Sequence, residues 1–321
     1  MSVAEVLSGR RRWHVEQGDC VAFLDALPAD SCSLVFGSPP YEQARLYLED
    51  GRDIGIARDT EAWVAWMLTV YRAALRCCNG LVAFVVEGQT RGYRYSGGPV
   101  LLWADLIRAG ITTRKAPVYH RVGIPGSGGK DWLRNDYEFI VCATRGGRLP
   151  WSDNTACGHP PKWQPGGEIS HRLMDGSRAN GNKERKHRTQ YRDGKGRMIT
   201  IGLASGKTEV QSYIPPALAN PGNVIDCVAG GGTMGSRLCH FSEAPFPEAL
   251  AEFFVRSFCP PDGLVVDCFA GSGTTGAVAV RNGRRFLGCD LRPSQVLLGQ
   301  RRISGETPTM FPDGVEPGGT P

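Results

Sequence analysis

The sequence predicts an α/β protein: a mostly parallel sheet with helices on both faces, interrupted by one irregular basic insert. Three observations predict it. Short β-rich apolar runs (residues 33–37, 81–86 and 137–145) alternate with helical stretches at 60–78 and 98–110, as strands and crossover helices do in a parallel sheet. From about residue 146 to 222 both periodicities dissolve into Gly, Pro, Asn and charge. After about 245 the α/β texture returns, with a helix at 247–258, a strand at 263–269, a glycine loop, a helix at 274–283, a strand at 284–291 and a last helix. The expected division is therefore 1–145 and 239–303 for the two halves of one core and 146–238 for the insert. Residues 304–321, rich in Gly and Pro, are expected to be a disordered tail.

A chain of 321 residues with 41% hydrophobic content can bury one substantial core and a smaller satellite. No run approaches the roughly 18 apolar residues of a membrane span, and the basic N-terminus lacks the apolar stretch of a signal peptide. Eleven scattered cysteines with no CxxC pair point to reduced core thiols and a cytoplasmic location. Cys157-Gly-His159 and Cys239-His240 have the wrong spacing for a tetrahedral zinc site, so no metal is expected. Residues 144–210 hold thirteen basic against six acidic residues, a net +7. Since the whole chain carries +5, the remainder sums to −2. A connection of roughly 75 residues is far longer than an idle loop, and its charge suits phosphate contact, with Arg185, Lys186, Arg188 and Arg192 as the candidates.

Val265-Val-Asp-Cys-Phe-Ala-Gly-Ser-Gly-Thr-Thr-Gly276 joins a strand to a helix. Its glycines permit close approach to a ligand, and the helix N-terminus supplies oriented N–H donors. Asp290 ends the next strand, where a carboxylate can accept both hydroxyls of a ribose. Gly271, Gly273 and Gly276 also spell GxGxxG with an acid 19 residues after the first glycine, which fits a nicotinamide dinucleotide fingerprint. Two features oppose a dehydrogenase. Only about 45 residues follow the motif, too few for a second nucleotide-binding half, and Asp267 and Phe269 have no use at a pyrophosphate site. An adenosine-plus-sulfonium ligand carries no phosphate. The near-duplicate Val224-Ile-Asp-Cys-Val-Ala-Gly-Gly-Gly-Thr-Met-Gly235 lacks a following strand ending in an acid, and reads as a glycine-rich surface turn.

Ser33-Leu-Val-Phe-Gly-Ser-Pro-Pro-Tyr41 is an apolar strand closed by two prolines, in its plainest reading a strand break. A sharper reading comes from the chemistry of an exocyclic base amine, a poor nucleophile because its lone pair is conjugated into the ring. The Ser38 hydroxyl and the Pro39 carbonyl, pre-aimed by the prolines, can bind the amine hydrogens and stabilise the charge that develops on attack. Tyr41 offers a ring on which an extruded base can stack.

The two motifs together resemble the DNA amino-methyltransferases, which form N4-methylcytosine or N6-methyladenine. Ser38-Pro39-Pro40-Tyr41 looks like their catalytic turn and Phe269-Ala270-Gly271-Ser272-Gly273 like their cofactor loop. The order, catalytic half, insert, cofactor half, is similar to the permuted beta group. The resemblance implies a Rossmann-like, circularly permuted, seven-stranded methyltransferase sheet, S-adenosylmethionine as cofactor, and a target-recognition insert. It places Asp19, Cys20, Phe246, Asp267, Phe269, Ala270, Gly271, Ser272, Gly273, Thr274, Thr275 and Asp290 at the cofactor. Glu138, in Asn135–Ile140, falls where the family carries the acid of a late strand. The implied partner is double-stranded DNA, with a companion restriction endonuclease and a monomeric or homodimeric state left open. RNA as substrate and an inactive DNA-binding relic stay as rivals. Ser38 stands where adenine enzymes usually carry Asp or Asn, so cytosine N4 is the expected target and adenine N6 the alternative. Cytosine C5 chemistry would need a thiolate after a proline, and Cys259-Pro260 has the reverse order.

Overall fold

The structure, a computed structural model, describes residues 2–42, 48–49, 52–53, 59–123, 130–161, 170–172, 175–180, 189–192, 198–201, 217–229, 234–242 and 245–306. The chain divides into two compact units, residues 1–157 with 221–321, and residues 158–220. The second unit is narrower than the expected 146–238: residues 146–157 and 221–238 belong to the larger unit.

The larger unit is built on β1 (Trp13–Gln17), β2 (Cys32–Gly37), β3 (Cys78–Val86), β4 (Thr112–Arg114), β5 (Val118–Val122), β6 (Tyr137–Thr144), β7 (Val224–Val228), β8 (Leu264–Asp267) and β9 (Arg285–Asp290). The sheet order is β1-β9-β8-β2-β3-β6-β5-β7, with β4 also on β6. The five strands from β1 to β3 are mutually parallel, and β6 is antiparallel to β3, β4 and β5. Nine strands replace the expected seven for two local reasons. Strands β4 and β5 pair with successive stretches of β6 and are separated at Lys115-Ala116-Pro117, where proline cannot donate to the ladder. Strand β7 comes from the near-duplicate glycine segment, expected as a surface turn. Its alternating Ile225 and Cys227 are buried, and it pairs in parallel with β5. The glycines that follow, Gly230, Gly231 and Gly232, lie outside the described residues.

Helices α1 (Val3–Leu7), α2 (Cys20–Ala26), α3 (Thr60–Cys77), α4 (Gly98–Arg108), α5 (Glu248–Phe258), α6 (Thr274–Arg281) and α7 (Pro293–Ser304) complete the unit. The pleat decides which helices each strand residue meets. Val35, Val82, Phe84, Val141 and Val266 pack with Phe23, Leu24, Trp63, Met67, Val70, Leu102 and Leu106 of α2–α4. Leu34, Phe36, Ala83, Val85 and Val265 pack with Leu250, Phe254, Val278 and Ile303 of α5–α7. Strand β8 is buried at every position, as a central strand covered on both faces must be. Helix α7 runs to Ser304, and Glu306 pairs with Arg281, so order extends past the expected tail boundary at 304. Residues 307–321 lie outside the described residues.

The second unit shows more regularity than its composition suggests. Ser170–Arg172 pairs antiparallel with Arg178–Asn180, and Thr189–Arg192 with Met198–Ile201. The first turn contains Asp175-Gly176, with Gly176 at φ 82 and Asp175 accepting from the Ser177 N–H at 2.9 Å. Arg192 ends a strand of the second hairpin. Arg185, Lys186 and Arg188 lie outside the described residues.

Candidate active site

From the centre of the sheet the chain winds both ways: β8 leads to β9 and β1, while β2 leads to β3. Open parallel sheets form a crevice at such a switch point, beyond the strands' carboxyl ends. The segments leaving β1, β2, β8 and β9 are Gly18–Cys20, Ser38–Tyr41, Cys268–Thr274 and Leu291–Arg292. All contribute to one cleft with an empty volume of about 970 Å³, including its part open to solvent. Ser242, Pro245 and Phe246 line it as well.

On the β2 side, Ser38 Oγ donates to Val85 O at 3.2 Å or to Tyr41 Oη at 3.1 Å, and Tyr41 Oη donates to Glu138 Oε2 at 2.7 Å. Arg121 lies 3.3 Å from Glu138 Oε1. The Trp63 indole N–H donates to Pro40 O at 2.8 Å, fixing the double-proline turn to α3. Glu87, just beyond β3, accepts from the Gly88 N–H and the Tyr95 hydroxyl. Burial raises its pKa to about 7, with Glu138 adding to the effect.

On the β8 side, Gly271 (φ 48) and Gly273 (φ 77) take left-handed conformations that glycine adopts without a Cβ penalty. The loop closes through Ala270 N to Cys289 O at 2.9 Å and Gly273 N to Ala270 O at 2.8 Å. Asp290 Oδ2 accepts from Gly271 N at 2.9 Å and Oδ1 from Arg292 N at 3.0 Å. Arg302, 3% exposed, donates to the Thr274 and Ser272 hydroxyls at 2.8 and 3.3 Å and to Glu248 at 2.5 Å, bracing the loop from α7. Phe269 turns inward against Phe84 and Trp66, and Phe246 meets Phe36 edge-on at 5.4 Å.

The two sides meet at Asp267. A Cβ on Gly37 would collide with its carboxylate, so only glycine fits before Ser38. Burial raises the Asp267 pKa to about 7; Phe269 N–H and the Thr275 hydroxyl pull it down, and Asp290 pushes it up. Burial also raises Asp290, opposed by hydrogen bonds and charge from Arg292 and by the Gly271 N–H. The thiols at the cleft are poor nucleophiles: burial lifts Cys20 to about 12 and Cys268 well above its ordinary range. Cys259, beside Pro260, is likewise raised to about 12, so none of the three supplies the thiolate that C5 chemistry needs.

The four residues of the proline turn thus share a cleft with Asp19, Cys20, Phe246, Asp267, Phe269, Ala270, Gly271, Ser272, Thr274 and Asp290. Gly273 and Thr275 are not in its lining. Gly273 packs so tightly on Gly299 that an added Cβ would lie 2.9 Å from its Cα, and Thr275 is fully buried. Asp19 has a structural duty: Oδ1 caps α2 by accepting from Val21 N at 2.9 Å and Ala22 N at 3.0 Å. Ser242, Cys268, Leu291, Arg292, Glu87 and Arg302 escaped the sequence reading. Of these, only Arg292 carried a signal, a cation two residues after the ribose-type acid. Among the described residues, no group of three His, Cys, Asp or Glu side chains is placed to hold a metal, and no helix is long and apolar enough to cross a membrane.

The model of the DNA methylase family that acts at N6 and N4 matches residues 32–301, a span that includes the catalytic-type turn, the second unit and the glycine loop. The chain belongs to this family. As a DNA methylase it is an enzyme with a Rossmann-like methyltransferase fold. Among solved structures, it is similar to PvuII DNA methyltransferase (cytosine-N4-specific), with 18% identity, 91% of this chain and 86% of the other covered, and TM-score 0.61. It is also similar to a candidate DNA modification methylase from Thermus thermophilus, with 24% identity, 94% and 97% covered, and TM-score 0.53. A complex of that Thermus protein with S-adenosyl-L-methionine matches at 22% identity, covers 92% and 95%, and has TM-score 0.53. No match was found among curated proteins.

Proposed function

We propose that this methylase transfers the methyl group of S-adenosylmethionine to the exocyclic N4 of cytosine in double-stranded DNA. One observation carries the reading: a single cleft has the Ser38–Tyr41 turn on one wall and the Gly271 loop with Asp290 on the other, joined at Asp267. That placement suits two substrates held for direct transfer, where positioning accounts for much of the acceleration.

The cleft fits the cofactor chemically. Asp290 stands where a ribose diol can be bound, Asp19 and Cys20 suit the adenine, and Phe246 suits the methionine end. Gly271 lets the backbone approach, and no Lys cradle for a pyrophosphate is required. When bound, S-adenosylmethionine supplies an electrophilic methyl group on a sulfonium. Ser38 Oγ and Pro39 O accept from the target amine and stabilise its growing positive charge. Tyr41 stacks on the extruded base. Arg185, Lys186, Arg188 and Arg192 are assigned to DNA phosphates, the ordinary use of a basic segment in such a protein.

The preference for cytosine rests on Ser38, because a hydroxyl reaches less far into the pocket than the carboxylate or amide usual in adenine enzymes. PvuII methyltransferase, which shares the fold, is named as cytosine-N4-specific. DNA methylated by the purified enzyme and digested to nucleosides is expected to give N4-methylcytosine in mass spectrometry. N6-methyladenine alone would overturn the base assignment and leave the family intact.

Asp267 gives the cofactor step a pH dependence. Its carboxyl keeps its proton up to about pH 7, whereas a cationic ligand favours the ionised form. Binding must therefore expel a proton below pH 7 and is weakened there. Affinity is expected to rise about tenfold between pH 6 and pH 8 and to be flat in Asp267→Asn. Calorimetric titrations at the two pH values test this; a wild-type affinity that is constant or falls with pH excludes the assignment.

A further inference from the structure

Beside the Ser38 turn stands a short hairpin, Thr90–Arg91 paired antiparallel with Arg94–Tyr95. Its two-residue tip is Gly92-Tyr93, with φ values of 54 and 64. Positive φ at both central residues is the habit of a type I′ turn, whose second position ordinarily takes glycine. Here a tyrosine holds it, 92% exposed. An aromatic side chain in the left-handed region is disfavoured, and a ring so exposed recovers little by packing. Observed strain of this kind, on a solvent-facing tip, points to a use outside the fold.

The root of the hairpin is bound to the catalytic-type turn from two directions. Ser96 N donates to Gln89 O at 2.8 Å, Gln89 N donates to Ser96 Oγ at 3.0 Å, and Ser96 Oγ donates to buried Glu42, the neighbour of Tyr41. Tyr95 Oη donates to Glu87 at 3.2 Å, two residues beyond the Val85 carbonyl that accepts from Ser38. Added Cβ atoms at Gly88 and Gly98 would lie 2.8 Å from Ser96 Oγ and 2.7 Å from Glu42 Oε1 respectively, so the root is closely packed. Three residues of extended chain carry the tip about 10 Å from it, similar to the depth of a DNA groove, about 8 Å. Arg91 and Arg94 flank the ring, both are exposed, and the hairpin contains no acid.

We propose that this hairpin enters the DNA groove at the target base and lodges the Tyr93 ring in the stack where that base has left, with Arg91 and Arg94 on the adjacent phosphates. The assignment rests on the DNA amino-methyltransferase reading, for either base. A ring stacked in the vacancy stabilises the extruded state, and the guanidiniums give the tip its affinity for phosphate. A fixed spacing from tip to Ser38 couples that insertion to delivery of the base.

The test uses the full-length enzyme and a duplex carrying the methylated site found by sequencing. In one version the target base is paired; in the other it faces an abasic position, so extrusion is already easy. Tyr93→Ala and Tyr93→Asn are expected to lower kcat/KM at least about tenfold on the paired duplex and less than about twofold on the abasic one. Tyr93→Phe should stay within about threefold on both. Asparagine tolerates the left-handed region, so Tyr93→Asn should melt no lower than the wild type, and S-adenosylmethionine affinity should be unchanged. Equal losses on both duplexes, or variants as active as the wild type, would overturn the hairpin's role; the second result is also what a protein-docking tip would give. Wild-type enzyme inactive on both duplexes would instead overturn the methyltransferase reading beneath it.

Discussion

Ser38→Ala is expected to lower turnover about a hundredfold while S-adenosylmethionine affinity stays within about twofold. The orientation of the hydroxyl proton is the reason. Tyr41 gives its own proton to Glu138 at 2.7 Å, so the phenol oxygen can only accept from Ser38; the Val85 carbonyl, the other partner, also only accepts. Whichever of them takes the Ser38 proton, the serine lone pairs are left to receive an amine N–H. Alanine removes that acceptor and leaves the prolines, Trp63 and the carbonyl of Pro39 in place. The loss then falls on a group that acquires positive charge only as the methyl is transferred, which lowers kcat rather than raising KM. Methyl incorporation under saturating substrates, beside calorimetric titration of the cofactor, separates the two. A parallel fall in cofactor affinity would move Ser38 to the cofactor side of the cleft, and a large drop in melting temperature would make its bond to Val85 structural.

Much of this geometry was legible because local sequence and topology agree. Strands β2, β8 and β9 are apolar runs that end in punctuation: Gly37-Ser-Pro-Pro, Asp267 with its glycine loop, and Asp290. Each run is a buried parallel strand, so each punctuation mark falls on the same edge of the sheet. Sequence order separates the first from the others by more than 200 residues, and only the resemblance to a permuted family brought them together before the fold did.

What was missed depends on pairing, which single segments do not encode. Val224–Val228 has no following strand that ends in an acid, a sound reason for denying it the cofactor but none for denying it an edge position. Its partner, β5, is about 100 residues away and is recognised only once Pro117 has ended the pairing of β4. Arg302 reads as one of two adjacent arginines in an amphipathic terminal helix, yet its guanidinium is buried against the Ser272 and Thr274 hydroxyls. Glu87 looks like an ordinary polar end to a strand. Its displaced titration arises from burial near Glu138, supplied by a strand 50 residues later. Gly92-Tyr93 lacks the second-position glycine that ordinarily marks such a turn, and its arms, two residues each, are too short to show a periodicity.

Asp290→Ala is expected to weaken S-adenosylmethionine binding about a hundredfold, near 2.7 kcal/mol, with a much smaller change in turnover at saturating cofactor. The carboxylate has two roles that alanine abolishes together. Oδ2 accepts from Gly271 N and so holds the tightest point of the loop, while Oδ1 accepts from Arg292 N. The remaining lone pairs of both oxygens suit a vicinal diol, and charge-assisted hydrogen bonds of this kind contribute about 1.5–3 kcal/mol each. Asp290→Asn keeps one carbonyl acceptor for either Gly271 or the diol and should fall between the two. The neighbouring charge also matters: Asp290 raises the Asp267 pKa, so its removal should let Asp267 ionise at lower pH and partly offset the loss below pH 7. The variant's affinity should therefore depend less steeply on pH than the wild type's. Calorimetry on Asp290→Ala and Asp290→Asn at pH 6 and pH 8 checks all three expectations. Undiminished affinity in both variants would remove Asp290 from the cofactor and leave it only as the brace of the Gly271 loop.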